Sequence, residues 1–256
     1  MDTMDFEKLK KIRNDWDEAV IKHGSKENHE QIKSHNTGSL QNFYYLDIIK
    51  KNQPKKQSVW LDVCCGSASS SLFISEKFDC FSIGFDLSLK RLQIAKQKNK
   101  ILKTKAEFIN ADLFHMPFKN DIFDGIIAMQ SLSDYKLDEQ QKTLQNLKDF
   151  LIDGGTFILS DANSTNSSNY NLLGMEKYLE ILTDIGYSKI TGEGWGGKNF
   201  QILWKIRNKI LRRLLKKNVE LLKKIEMRYN LLLFRIGNFE QKSIKKSFFF
   251  HIIGIK

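Results

Sequence analysis

The sequence predicts an α/β protein built on a doubly wound, mainly parallel seven-stranded sheet with an antiparallel last strand. Three observations carry that prediction. Between residues 58 and 160, short apolar runs alternate with amphipathic stretches of helical period, the pattern of a parallel sheet covered on both faces. The successive runs end in Asp62, Asp86, Asp112 and Met129-Gln130, where ligands sit in such sheets. A last apolar run, Lys246–Ile255, follows the strand-like segment 187–193 only after a long helical insertion, and so returns antiparallel to its neighbours.

Along the chain, Phe6, Leu9, Ile12, Trp16, Ala19 and Val20 mark one face of a helix over about Asp5–Lys22. The polar stretch His23–Ser39 reads as loop, and a second helix covers Leu40–Lys51, stopping before Pro54. Strands are expected at 58–63, 80–85, 105–110, 123–129 and 155–160, with helices at 69–77, 88–98 and 138–150. A helix at 172–185 and a strand at 187–193 follow. One domain of 256 residues accounts for the pattern: an N-terminal helical cap (1–53), a Rossmann-like core (54–193), a basic helical insertion (194–245) and the final strand (246–256).

Composition narrows the class. The N-terminal stretch is charged and has no apolar run, so no secretory signal is expected. The longest near-apolar run, Phe248–Ile255, is far below the ~20 residues that span a bilayer. Cys64, Cys65 and Cys80 form neither a disulfide framework nor a metal spacing, so no metal is expected. The expected location is the cytoplasm, either free or peripheral at the inner face of the membrane. Net charge is +11, yet Lys198–Lys246 alone holds fifteen Lys/Arg against three Glu. That stretch carries +12 and the rest of the chain −1, so the basicity belongs to the insertion.

The strand ends define a candidate cofactor site. Strand 1 runs into Asp62-Val63-Cys64-Cys65-Gly66-Ser67-Ala68, a turn of small residues opening a helix. Strand 2 ends at Asp86, 20 residues after Gly66, a spacing that suits a carboxylate accepting ribose hydroxyls. The segments LDVCCGSA, GFDLS, NADLFHMPF, FDGIIAMQSL and LKDFLIDGGTFILSD, spanning about Val59–Asp161, resemble in order and spacing the motifs of class I S-adenosylmethionine-dependent methyltransferases. The small-molecule and quinone-methylating branch is the most similar.

The resemblance implies S-adenosylmethionine as cofactor and assigns roles by position. Asp62 with Cys64, Gly66 and Ser67 would hold the methionine part, Asp86 with Leu87 the ribose, Asp112 with Leu113 the adenine edge, and Gln130 the methionine side. The family usually has three glycines in the first turn; here only Gly66 remains, flanked by Cys64 and Ala68. A nicotinamide fingerprint matches worse, because Cys64 and Ser69 stand where it needs glycine. The Asn/Asp-Pro-Pro-aromatic motif of enzymes methylating exocyclic base amines is absent after strand 4.

Asp134 and Tyr135 are the candidate catalytic residues, placed where an acceptor would arrive. Asp134 could equally cap the helix starting near Asp138. His23, His29 or His35 could supply a base from a lid, whereas His115 and His251 read as structural. In the insertion, Leu203, Ile206, Ile210, Leu211, Leu214, Leu215, Leu221, Leu222 and Ile225 fill one side of a helical wheel and basic residues the other, with Trp204 near the edge. Residues 202–225 could therefore lie on an anionic membrane, pack on the core, or, less readily, hold RNA phosphates. The function expected is methyl transfer to a small-molecule or lipid-linked acceptor. The alternatives are an RNA methyltransferase guided by the basic helix and a cofactor-binding protein without turnover.

Overall fold

The computed structural model describes residues 3–23, 32–35, 39–162, 173–214, 219–239 and 247–256. Two helices precede the sheet, α1 (Thr3–His23) and α2 (Leu40–Asn52). Strands and helices then alternate except between β3 and β4, which no helix separates: β1 (Val59–Val63), α3 (Ser69–Phe78), β2 (Phe81–Asp86), α4 (Leu89–Leu102), β3 (Ala106–Asn110), β4 (Phe123–Met129), α5 (Leu137–Phe150) and β5 (Leu151–Ala162). The chain ends with α6 (Met175–Asp184), β6 (Ser188–Trp195), α7 (Lys198–Leu214), α8 (Val219–Phe239) and β7 (Phe249–Ile255).

The seven strands lie in the order β3-β2-β1-β4-β5-β7-β6. The first five pair in parallel, and β7 inserts antiparallel between β5 and β6. Strand order reverses between β1 and β4, which opens a crevice above their carboxyl ends. The fold class is as expected, including the antiparallel last strand. The expected basic helical insertion is two helices, with residues 215–218 between them outside the described set.

Burial explains the element types. Leu61, Ile126, Ile127, Phe157 and Ile158 are fully buried at the sheet centre, where both faces are covered. Gly125 is a close-approach position: a Cβ there would fall 2.5 Å from the Trp60 indole carbons, so only glycine lets that ring lie across the strand. β5 is longer than the expected 155–160, because α5 passes into it without a loop. A register shift between Phe123 and Gly125 then lets Leu151 pair with Phe123. The expected opening of β7 at Lys246 falls outside the described residues, and its described part begins at Phe249.

The wheel of the insertion needs correction. Phe200 is buried, Leu203 and Trp204 pack on the core, and Arg207, which strays from the wheel's two arcs, is buried. Arg207 pairs with Glu226 of α8 and lies 4.6 Å from the Trp204 ring centroid. That ion pair lets a guanidinium sit on the inner face. Ile206, on the apolar side of the wheel, is 44% exposed. The side chains of Ile210, Leu211, Leu214, Leu215, Leu221, Leu222 and Ile225 lie outside the described set.

Candidate functional site

A cavity of about 400 Å³ lies over the β1–β4 reversal, within the range of small-ligand sites. Its floor is the turn after β1. Cys64, Gly66 and Ala68 all adopt left-handed backbone, with φ of 52°, 56° and 62°. That conformation is free for glycine and costs other residues roughly 1–2 kcal/mol. The two positions where the family's glycines are replaced are therefore the two strained ones. Small side chains keep the turn open, and the Ala68 methyl is buried in a core cluster with Leu72 and Leu92.

Asp62 sits at the end of β1 and is held from below. Its Oδ2 accepts the Ser71 N–H at 3.1 Å and the Ser71 hydroxyl at 2.5 Å. Burial pushes its carboxyl up to about 7, against those two hydrogen bonds. Asp86 ends β2, and its oxygens accept the N–H groups of Gly66 and Ser88, each at 2.8 Å. The carboxylate thus locks the glycine turn to the second strand. Burial raises its pKa, while Arg91 opposes the rise.

Of the residues singled out by sequence, Asp62, Cys64, Gly66, Ser67, Asp86, Leu87, Gln130, Asp134 and Tyr135 line the cavity together. Asp112 and Leu113 are not on its wall. Leu113 is buried in the core. Asp112 Oδ1 accepts the Phe114 and His115 N–H groups and faces the His115 ring at 3.0 Å. Asp134 does not cap α5: Glu139 Oε2 accepts the Lys136 N–H there at 2.6 Å. His35 is buried against Glu76 and Phe73, and His23 and His29 have no described side chains. His251 packs in β7, hydrogen-bonded to the Tyr44 hydroxyl at 3.0 Å, with burial pushing it down to about 4.

The structure adds a wall that sequence reasoning left as a generic cap. From α1, Ile12 and Trp16 reach the cavity, and from α2, Gln41, Asn42 and Tyr45. Trp16 Nε1 donates to Asp134 Oδ2 at 3.1 Å, and the Arg91 guanidinium lies 4.2 Å from the Trp16 ring centroid. Gln41 Nε2 donates to Gln130 Oε1 at 3.1 Å. The Ser88 hydroxyl donates to Asp17, and Lys8 reaches Glu139 at 2.7 Å, so α1 is tied across the crevice at both ends. Ile12 and Trp16 share one amphipathic face in the sequence; nothing in that pattern says whether the face covers core or ligand.

A doubly wound sheet with its last strand antiparallel, and acidic residues at the ends of β1 and β2, defines the class I methyltransferase fold. A methyltransferase-domain family model matches residues 61–155, and that central segment belongs to the family. Similar relatives include phosphoethanolamine N-methyltransferase 1 of Arabidopsis thaliana, 23% identical over 169 residues, 61% of this chain and 34% of that protein. Carboxy-S-adenosyl-L-methionine synthase of Nautilia profundicola is 24% identical over 200 residues, 76% of this chain and 79% of that protein. Among solved structures, phosphoethanolamine N-methyltransferase 2 of Haemonchus contortus, bound to phosphomonomethylethanolamine and S-adenosylhomocysteine, superposes with a TM-score of 0.61 at 19% identity. The superposition covers 84% of this chain and 52% of that one. The chain spans about a third of the length of the first curated relatives it matches.

Proposed function

We propose that the chain, acting as one domain, binds S-adenosylmethionine and transfers its methyl group to a small-molecule or lipid-linked acceptor. The observation that carries this reading is the convergence of the β1 turn, the β2 carboxylate and the β4 end on one cavity within a methyltransferase-family segment. The residues present suit the cofactor. Asp86 is pinned by two backbone N–H groups and keeps acceptor capacity for ribose hydroxyls. The small residues Cys64, Gly66 and Ser67 allow an amino-acid tail to approach the backbone, and Gln130 borders it. The loop after β3 that carries Asp112 would border the adenine edge.

Bound S-adenosylmethionine supplies a methyl group on a sulfonium, so displacement needs little beyond alignment. The chain's part is to align the acceptor and hold its proton. Asp134 and Tyr135 line the cavity and would take that role. Burial and surrounding acidic groups hold the Tyr135 hydroxyl protonated, so it orients by donating rather than acting as a base.

Two exposed stripes favour an acceptor met at a lipid surface. On α7 the outward residues are Ile202, Lys205, Ile206 and Lys209; on α8 they are Arg228, Leu231, Leu232 and Arg235. Both follow helical i, i+3, i+4, i+7 spacing. Each pairs two large apolar groups with two cations, as interfacial helices do on anionic lipid. Phe43 of α2 stacks near Phe234 of α8 with ring centroids 5.9 Å apart, placing this surface one helix from the cavity. Among the described residues no helix is long and apolar enough to cross a membrane.

Calorimetry with S-adenosylhomocysteine tests the cofactor, and labelled methyl transfer into separated lipid, small-molecule and RNA pools tests the acceptor. No binding sinks the reading. Label in RNA alone moves it to a nucleic-acid acceptor, and binding without label in any pool moves it to a non-catalytic protein.

A further inference from the structure

Among the described residues, the Tyr45 hydroxyl and Asp161 Oδ2 are buried polar atoms with no hydrogen-bond partner. Folded proteins leave few such atoms, because each forfeits its hydration without return. Tyr45 stands on the cavity wall. Asp161 lies near the carboxyl end of β5 and is 1% exposed; its other oxygen accepts the Ala162 N–H at 2.7 Å. The Gln130 N–H donates to the Ser160 carbonyl at 2.8 Å, so this end of β5 is tied to the stretch of chain that walls the cavity. The titratable groups felt around Asp161 are Tyr45 of α2, Asp134 of the loop after β4 and Tyr178 of α6. Burial, reinforced by Asp134, raises the Asp161 carboxyl to about 7.

The charge balance nearby is one-sided. Asp134 lies on the wall, and its charge is felt at buried Asp161. Among the described lining residues the one cation is Arg91, which stacks on Trp16 and offsets Asp86. A phosphate or carboxylate acceptor would meet no second cation among those described lining residues, the nearest lysines, Lys8 and Lys98, standing behind Tyr135 and Ser67. Each of the two orphan oxygens can accept from an N–H donor.

We propose that Tyr45 and Asp161 form the acceptor subsite and that it takes an amine nitrogen, making the reaction an N-methylation. This rests on the methyltransferase reading above and narrows its acceptor class. The ammonium nitrogen gives one proton to Asp161 Oδ2. Its freed lone pair forms the new N–C bond as the S–C bond breaks with its electrons kept on sulfur. The positive charge passes to the methylated nitrogen, and the proton on Asp161 returns to solvent as product leaves. Tyr45 accepts a second N–H and fixes the lone pair's direction.

The test uses the full chain loaded with S-adenosylhomocysteine, so that nothing reacts. Ligand-observed NMR compares ethanolamine and phenylethylamine with the alcohol and the carboxylate of each skeleton. The amine should bind at least tenfold tighter than its alcohol, with the carboxylate weakest. Asp161→Asn should cut amine binding tenfold or more and Tyr45→Phe severalfold, both with cofactor affinity within twofold of the parent. Alcohols binding as well as amines, no amine binding, or amine binding indifferent to both substitutions overturns the proposal. If S-adenosylhomocysteine itself does not bind, the cofactor reading fails first, and that failure is visible in the loading step.

Discussion

Trp16 in α1 donates its indole N–H to Asp134 in the loop after β4, 118 residues later in the chain, at 3.1 Å. The bond joins the N-terminal helix to the rim of the cavity, and Arg91 adds a cation–π contact to the same ring. Helix α1 therefore forms part of the cavity wall and is held to its rim by these contacts. Replacing Trp16 with Ala removes both contacts, each worth about 0.5–1.5 kcal/mol near a surface. S-adenosylhomocysteine should then dissociate several-fold faster in stopped-flow chase experiments, with a small change in melting temperature. Unchanged dissociation would mean that α1 does not gate the cavity.

The Asp86 carboxylate serves two masters, the glycine turn and the proposed ribose. Asp86→Ala leaves the Gly66 and Ser88 N–H groups unpaired and takes away the ribose acceptor. Binding of S-adenosylhomocysteine should weaken by about 1.5–3 kcal/mol, the range for lost hydrogen bonds to a charged group. Calorimetry measures it directly, and an unaltered enthalpy and affinity would remove Asp86 from the site.

The three strained or crowded features of this site were legible to different degrees. Asp62, Gly66 and Asp86 stand out because strand ends in alternating folds carry ligands, and period and spacing mark those ends. The left-handed backbone at Cys64 and Ala68 was legible only as missing glycines. Tyr45 and Asp161 were not legible at all. Tyr45 sits in a helix whose pattern mixes buried and exposed positions, and Asp161 looks like any loop acid after a strand. What marks them is that neither has a hydrogen-bond partner for that oxygen among the described residues. Arg207 strays from the two arcs of the α7 wheel because a wheel ranks residues by polarity. It has no knowledge of the Glu226 carboxylate that lets Arg207 turn inward.

A buried acid also leaves a mark on stability. The Asp161 carboxyl is raised from 3.8 to about 7 in the folded chain. Between those values the native state holds a proton that the unfolded chain has lost, so stability from this group falls as pH rises and levels off above 7. Asp161→Asn removes that dependence. Its stability relative to the parent should therefore improve between pH 5 and pH 8, by up to about 2 kcal/mol, in urea unfolding at both pH values. A difference that is flat with pH would mean that the folded carboxyl is not raised.

The outward stripes of α7 and α8 make the membrane reading quantitative. If they dock, the protein should sediment with anionic vesicles and stay free of neutral ones. Binding should fade as added salt shortens the screening length, which is about 10 Å at 0.1 M. Each exposed cation near the lipid contributes about 1 kcal/mol, so changing Lys205, Lys209, Arg228 and Arg235 to Gln should nearly abolish sedimentation. Serine at Ile202, Ile206, Leu231 and Leu232, which are 40–51% exposed, should weaken binding even at low salt and leave the melting temperature within a few degrees. Trp204 behaves differently, because it lies against Phe200, Phe248 and Arg207 rather than outward. Trp204→Ala should lower stability by about 3 kcal/mol or somewhat less, given its partial burial, with vesicle affinity per folded molecule unchanged. Sedimentation that ignores lipid charge, or survives both sets of stripe substitutions, would assign the +12 of this segment to another partner. Competition by RNA would name nucleic acid as that partner.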